Sequence, residues 1–259
     1  MILAIDIGNT QATLGALDGD RVAHSWRLST RAPRTADEQA VFLRGCFDLD
    51  GVDPRGFTDA VIGSVVTHLT PVYAAACERL FGRAPLIVNG HTPMPVRNGY
   101  ADPAAVGVDR LANAVAGVRR YGCPLIVVDF GTAITLDVIS ADNVYLGGVI
   151  APGPDLMAKS LSSGTSRLPR IVIEKPASAI GRHTRDSVNA GVFYGIAGAV
   201  ESLVVRISRE LGVSACKTVA TGGLAPRFAP EIAAISACEP FLTLFGLKEI
   251  QEYQSRAHA

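Results

Sequence analysis

Two carboxylates at matching strand ends stand where a chain could grip a polyphosphate and its metal, and a third opens a helix between them. Asp6 ends the apolar run Leu3-Ala4-Ile5 and is followed by Ile7-Gly8-Asn9-Thr10; Asp129 ends Ile126-Val127-Val128 and is followed by Phe130-Gly131-Thr132. In each segment a glycine lets the backbone approach a ligand, and successive N–H groups in such a turn form a concave anion site. Asn9 and Thr10 add side-chain donors. An acid beside that site repels phosphate, so its presence implies a bridging cation; magnesium takes one or two carboxylates plus phosphate oxygens and keeps several waters. One Asp-x-Gly is ordinary hairpin chemistry. Two copies, one in each half of the chain, argue for function.

The third carboxylate, Asp109, lies in Gly107-Val108-Asp109-Arg110, where an irregular loop gives way to a helix. It serves either as a first-turn acid on a helix dipole or as a base that accepts a hydroxyl proton while Arg110 holds an anionic group of the substrate. The chain contains no GxxxxGK[ST] loop, no GxGxxG after a strand, no GxSxG elbow and no HExxH helix. With no phosphate-loop lysine, charge neutralisation falls to metal, backbone N–H groups and Arg110. Thr221-Gly222-Gly223-Leu224 fits either a backbone platform for a flat ring such as adenine or a simple strand-to-helix turn.

The elements that must position these groups repeat. Residues 2–5, 13–17 and 21–28 read as strands, followed by a helix over 36–47, a strand over 59–66, a helix over 70–81 and a strand over 86–88. A Gly- and Pro-rich stretch, 90–107, leads into a helix over 108–121. The second half repeats the order, with strands over 125–128, 134–139 and 144–150, a Gly/Pro/Ser-rich loop over 151–169, a long helix over 187–211, a strand over 218–221 and a closing helix over 247–254. This predicts an α/β protein of two similar domains, 1–117 and 118–259, facing each other across a cleft. Gly191 and Gly195, four apart on the long helix with Ala190, Ala197 and Gly198 nearby, fit either tight core packing or the seam of a two-fold dimer.

Composition narrows the class. With 259 residues, 48% of them hydrophobic, the chain can bury a large core. Lys+Arg and Asp+Glu are 24 each, so there is no global electrostatic case for nucleic acid or an anionic membrane as partner. The five cysteines form no CxxC pair and read as buried free thiols of a reducing compartment. Met157 and the histidines, among them His24, His183 and His258, have no catalytic spacing and read as packing or surface residues. The N-terminus has no basic leader, and the uncharged stretch 187–200 is shorter than a bilayer span, so a cytoplasmic protein is expected.

Taken together these segments resemble the type III pantothenate kinases of the acetate and sugar kinase/Hsp70/actin superfamily. The resemblance runs from Asp6-Ile7-Gly8-Asn9-Thr10 to Thr221-Gly222-Gly223-Leu224-Ala225. Its most specific part is Gly99-Tyr100, Pro103 and Val106-Gly107-Val108-Asp109-Arg110-Leu111-Ala112-Asn113. The resemblance implies an actin-like (ribonuclease H-like) fold and ATP-dependent phosphorylation of pantothenate to 4'-phosphopantothenate, the first step of coenzyme A biosynthesis. It implies that Asp6, Ile7, Gly8, Asn9, Thr10, Gln11, Ala12, Thr13 and Thr132 surround ATP and its Mg2+. Asp109 would be the general base. Tyr100, Gly107, Val108 and Arg110 would bind pantothenate, with Thr184 contributed across a homodimer. Asp129 would be the ligand of a monovalent cation, K+ or NH4+. Two positions depart from the family pattern: His183 stands where Asn is usual, and Val108 where Ala is frequent. A sugar or hydroxy-acid kinase, a non-catalytic relative that keeps the fold, and a filament former are the competing readings; the Tyr100–Arg110 segment speaks against the first, the retained acids against the second and the small size against the third.

Overall fold

The computed structural model describes residues 1–257, which form two compact units: Met1–Arg119 together with the chain from Phe241 onward, and Arg120–Pro240. His258 lies outside the described residues.

In the first unit, β1 (Ile2–Ile7), β2 (Gln11–Asp18) and β3 (Arg21–Ser29) form an antiparallel meander. After α1 (Ala36–Leu49), β4 (Asp59–Ser64) joins β1 in parallel, and after α2 (Thr70–Phe81), β5 (Leu86–Val88) joins β4. The sheet order is β3-β2-β1-β4-β5. The two faces of β1 differ as its alternation requires. Leu3, Ile5 and Ile7 point into a core with Leu43 and Phe47 of α1 and Tyr73 of α2. Here Trp26 meets Phe47 edge-on at 5.0 Å. Thr35 opens α1 with a reciprocal capping box to Glu38. On the other face small residues make room for a helix: a Cβ on Gly15 would lie 2.8 Å from Leu244, and one on Gly63 2.7 Å from Leu247.

Leu244 and Leu247 belong to the closing helix, numbered α7 below (Leu242–Ala257). The sequence reading ran the second domain to residue 259, but the chain re-enters the first unit at Phe241, where α7 packs on β1, β2, β4 and β5. The reason is tertiary: the small face formed by Ala4, Gly15 and Gly63 needs a partner that no helix of the first hundred residues supplies. The first unit also contains the short strand β6 (Arg97–Asn98) and α3 (Val108–Tyr121), whose last two residues, Arg120 and Tyr121, already belong to the second unit.

The second unit repeats the plan. Strands β7 (Leu125–Phe130), β8 (Ala133–Ile139) and β9 (Val144–Pro152) form a meander; α4 (Pro154–Gly164) and α5 (Thr184–Glu210) follow, and β10 (Lys217–Thr221) joins β7 in parallel. The short α6 (Ala225–Phe228) leads to β11 (Ala237–Cys238), parallel to β10. Five of the six strands of the second sheet, in the order β9-β8-β7-β10-β11, therefore match β3-β2-β1-β4-β5 position for position. Ile126, Val128 and Phe130 pack against α5 through Phe193, Ile196 and Val200, with Phe228 stacked on Phe193 at 4.6 Å. The region read as a loop over 151–169 contains α4, begun by Pro154 in its first turn; its Gly/Ser content masked a helix held by tertiary contacts with α5.

Helix α5 starts at Thr184 and runs 27 residues, far beyond the uncharged stretch 187–200. By length and composition it could cross a membrane, yet Val188, Val192, Phe193, Ile196, Val200 and Val204 are buried in the core. On its opposite face Gly191, Gly195 and Gly198 have nothing within 4 Å of a built Cβ. These glycines therefore serve an open face rather than close packing inside the unit. All five cysteines are free, but only Cys77 and Cys216 are buried and Cys238 is exposed. Burial pushes the Cys77 thiol up to about 12.

Candidate functional site

Asp6 occupies the penultimate position of β1, in register with Thr13 of β2 and Gly63 of β4. Because Asp6 lies two and four residues from Ala4 and Ile2, its side chain stands on the face that the small residues line. The turn beyond it closes when Gly8 N–H donates to the Gln11 carbonyl at 3.0 Å. Thr30, just past β3, then clamps the turn from the side: its hydroxyl donates to the Gly8 carbonyl at 3.0 Å and its N–H to the Thr10 carbonyl at 3.2 Å. Both carbonyls are thus bound to Thr30, and Asn9 at the tip of the turn is exposed. Thr30 was missed in the sequence, since a threonine twenty residues downstream has no motif spacing; only the meander brings it back.

The same strand ends receive α3. Val65 N–H donates to the Ile7 carbonyl at 3.1 Å, and Val65 lies 3.5 Å from the Cβ position of Gly107. A Cβ on Gly63, the register partner of Asp6, would lie 3.0 Å from Val108. Asp6 and the first turn of α3 thus share the C-terminal edge of one parallel strand pair, where open α/β sheets gather their ligands. Gly107 is required there, because a Cβ would run into the Asp109 carboxylate. Asp109 Oδ1 accepts the Arg110 backbone N–H at 2.8 Å. Burial nevertheless raises the Asp109 carboxyl above the usual carboxylate range, outweighing that bond and the nearby Arg110 charge. A carboxylate shifted upward is a better proton acceptor near neutral pH. Arg110 is buried, whereas Tyr100 is exposed on a loop fixed by Asn98, which accepts from Tyr100 N–H at 3.1 Å and donates to the Pro103 carbonyl at 3.2 Å.

In the second unit Asp129 is the penultimate residue of β7 and pairs in register with Thr135 and Thr221. The copies differ in their turns. Four residues, 8–11, separate the last paired positions of β1 and β2, but only three, 131–133, separate those of β7 and β8, where Gly131 N–H donates to Ala133. The turns therefore offer different sets of N–H groups. The Asp129 carboxylate is flanked by two glycines: a Cβ on Gly131 would lie 3.5 Å from Oδ1, and one on Gly222 would collide with it. Gly222 also has φ +91°, a conformation that side chains disfavour. Thr221-Gly222 thus shapes space around Asp129, a role that the paired glycines in the sequence left open. Gly153 N–H donates to the Thr132 carbonyl at 3.0 Å, which sets the start of α4 against the second turn.

His183 and Thr184 begin α5, both exposed, and with Arg182, Ser187, Met157 and Leu168 they line an open cavity of about 580 Å³ in the second unit. Met157 and His183 are thus both cavity-lining residues.

Among the described residues no group of three or more His, Cys, Asp or Glu side chains gathers to hold a metal. Asp6 and Asp129 fit cations that take one protein carboxylate and complete their shell with water and ligand oxygens. The missing Cβ of Gly222 leaves room for the Asp129 carboxylate itself and for the Phe130 carbonyl.

A family model described as type III pantothenate kinase matches residues 2–206. The type III pantothenate kinase of Roseiflexus sp. (strain RS-1) is 46% identical over 252 residues, 97% of this chain and 98% of that protein. Among solved structures, a Baf family transcriptional activator from Campylobacter jejuni superimposes with TM-score 0.62 at 22% identity, covering 98% of this chain and 99% of that one. An archaeal actin homologue does so with TM-score 0.51 at 12% identity, over 97% and 99%. The structural likenesses establish an actin-like fold, in keeping with the two matching sheets. With a family model spanning most of its length and a relative at nearly half identity end to end, this chain belongs to the type III pantothenate kinase family.

Proposed function

We propose that this chain transfers the γ-phosphoryl group of ATP to the primary hydroxyl of pantothenate, giving 4'-phosphopantothenate and opening coenzyme A biosynthesis. The observation that carries the reading is Asp109, a carboxylate raised by burial at the C-terminal edge of the first sheet, on the face that also bears Asp6. Phosphoryl transfer needs an in-line nucleophile and charge neutralisation, with little covalent assistance. Asp109 orients the hydroxyl and accepts its proton. Arg110, with Tyr100, Gly107 and Val108, binds pantothenate and pairs with its carboxylate. The turn from Asp6 to Thr13, held in shape by Thr30, and Thr132 direct N–H and hydroxyl donors at the phosphates.

Asp6 would hold Mg2+ and Asp129 a monovalent cation, K+ or NH4+, and these ions would supply positive charge for the transfer. The open glycine face of α5 and the exposed Thr184 support a homodimer in which Thr184 completes the partner's pantothenate pocket. A cytoplasmic location fits this substrate.

The test is ATP-dependent phosphorylation of pantothenate against a panel of sugars and hydroxy acids, with and without K+ or NH4+. Pantothenate should be the preferred acceptor and the monovalent ion should be required. Asp109→Asn, folded and of wild-type oligomeric state, should lose activity by about 10² or more; near-wild-type turnover sinks the assignment of the base.

A further inference from the structure

Gly63 of β4 is the register partner of Asp6, and two helices of the first unit meet there. A Cβ on Gly63 would lie 2.7 Å from Leu247 of α7 and 3.0 Å from Val108 of α3, so both helices rest on the strand beside Asp6. The helices also touch each other. Gly246 lets α7 approach the Ala112 carbonyl so closely that any Cβ would collide with it. At the next residue of α3 the seam turns polar: the Thr243 hydroxyl donates to Asn113 Oδ1 at 2.8 Å. Asn113 is fully buried, in a helix segment where Leu111, Ala112, Ala114 and Val115 are buried too. A buried polar pair adds little net stability, since replacing both partners by apolar groups of the same shape is nearly neutral. What it adds is register. Apolar side chains keep touching when one helix turns against another, whereas a hydrogen bond holds only near one distance and angle.

From this seam we propose that Thr243 is a positioning residue for phosphoryl transfer: through Asn113 it fixes the rotation of α3 about its own axis, and with it the direction of the Asp109 carboxylate. The proposal rests on Asp109 acting as the base. Asp109 and Asn113 are four residues apart, so they stand one above the other on one face of α3, about 6 Å apart along its axis. Asp109 Oδ1 accepts the Arg110 backbone N–H at 2.8 Å, so the carboxylate follows the helix backbone when α3 turns. A carboxylate about 5–6 Å from the axis shifts by about 1 Å for a turn of about 10°. A misplacement of that size lowers turnover by about a hundredfold. Helix α7 is the fixed reference, because Leu244 and Leu247 are seated over Gly15 and Gly63 of the sheet that carries Asp6. The bond therefore sets Asp109 against Asp6 inside one unit, through α7 and β4.

The experiment measures steady-state kinetics with ATP and pantothenate, and urea unfolding, for wild type, Thr243→Val, Thr243→Ser and the apolar pair Asn113→Leu/Thr243→Val. Thr243→Val should lower kcat by roughly tenfold while KM for both substrates stays within about twofold, the signature of a lost transition-state arrangement. Thr243→Ser keeps the hydroxyl and should keep kcat. The apolar pair should regain the stability that Thr243→Val loses but not its kcat, a separation that a merely structural role does not produce. A folded Thr243→Val with wild-type kcat, a Thr243→Ser as slow as Thr243→Val, or an apolar pair that regains stability and kcat together overturns the proposal. Should Thr243→Val fail to fold, the apolar pair decides alone, and a wild-type kcat overturns it. A wild-type protein inactive on pantothenate takes down the functional reading instead, and an active Asp109→Asn the choice of base, so the failures are distinguishable.

Discussion

Replacing Gly246 with alanine sets two physical effects against each other. Gly246 lies inside α7, where helix propensity favours alanine by about 1 kcal/mol. Its Cβ, however, would collide with the carbonyl of Ala112 in α3 and lie 2.8 Å from the Ala112 Cα. Carbon atoms pack best at about 3.5–4.0 Å, so the helices must separate by about 0.7 Å or more, and a gap of that size forfeits a quarter to a half of each dispersion contact it opens. The obstacle is backbone in a fully buried helix segment, which cannot rotate aside. Thr243, on the preceding turn of α7, also bonds Asn113 at 2.8 Å and would be pulled from it. Overpacking of about 3 kcal/mol, set against the propensity gain, leaves Gly246→Ala about 2 kcal/mol less stable.

Gly45 is the control. It lies within α1, and a Cβ there meets nothing within 4 Å, so Gly45→Ala should gain about 1 kcal/mol. Both sites are in the unit that holds Trp26, the single tryptophan of the chain, so its fluorescence during urea unfolding reports both. At an m-value of about 3 kcal/mol/M the midpoint should fall by about 0.7 M for Gly246→Ala and rise by about 0.3 M for Gly45→Ala. Midpoints that move in the same direction would refute the packing argument.

Three further outcomes follow from the site. Because the folded Asp109 carboxyl titrates above its unfolded value, ionising it penalises the native state. The penalty is absent below the unfolded pKa of about 3.9, grows as pH rises through the raised folded value, and is constant above it. Asp109→Asn should therefore gain stability over wild type at pH 8 and lose that advantage at pH 4, read by denaturant midpoints; equal midpoints at both pH values would contradict the burial argument. Gly222→Ala places a methyl on the Asp129 carboxylate at a φ of +91°, so it should lose about 2–4 kcal/mol of stability and require more K+ or NH4+ for half-maximal activity. An unchanged ion requirement would separate Asp129 from the cation. Thr30→Val removes the hydroxyl bond to the Gly8 carbonyl and should raise KM for ATP several-fold with little change for pantothenate, a split that steady-state kinetics reads directly.

The candidate carboxylates were legible in the sequence because their signals are local. A strand ending in Asp, a following glycine and a polar turn occupy consecutive residues, so Asp6 and Asp129 could be found without knowing the fold. The meander that opens each half was equally readable, since hairpins join neighbours in the chain. Where boundaries slipped, nonlocal contacts had overridden local composition, as in α4, whose glycine and serine content reads as loop until α5 packs against it.

Sequence alone marked the candidate carboxylates and predicted that two similar sheets would form, because residue type and strand periodicity are properties of short segments. Tertiary structure decided the rest. It returned α7 to the first unit, since the face formed by Ala4, Gly15 and Gly63 can be covered only from a distance in the chain. It brought Thr30 onto the first turn and Gly222 onto Asp129, and it buried Asp109 enough to raise its carboxyl. It also brought Thr243 of α7 onto Asn113 of α3, through a bond that no spacing in the sequence announces. Each of these depends on desolvation or on contacts between residues tens to more than a hundred positions apart, which only the folded chain fixes.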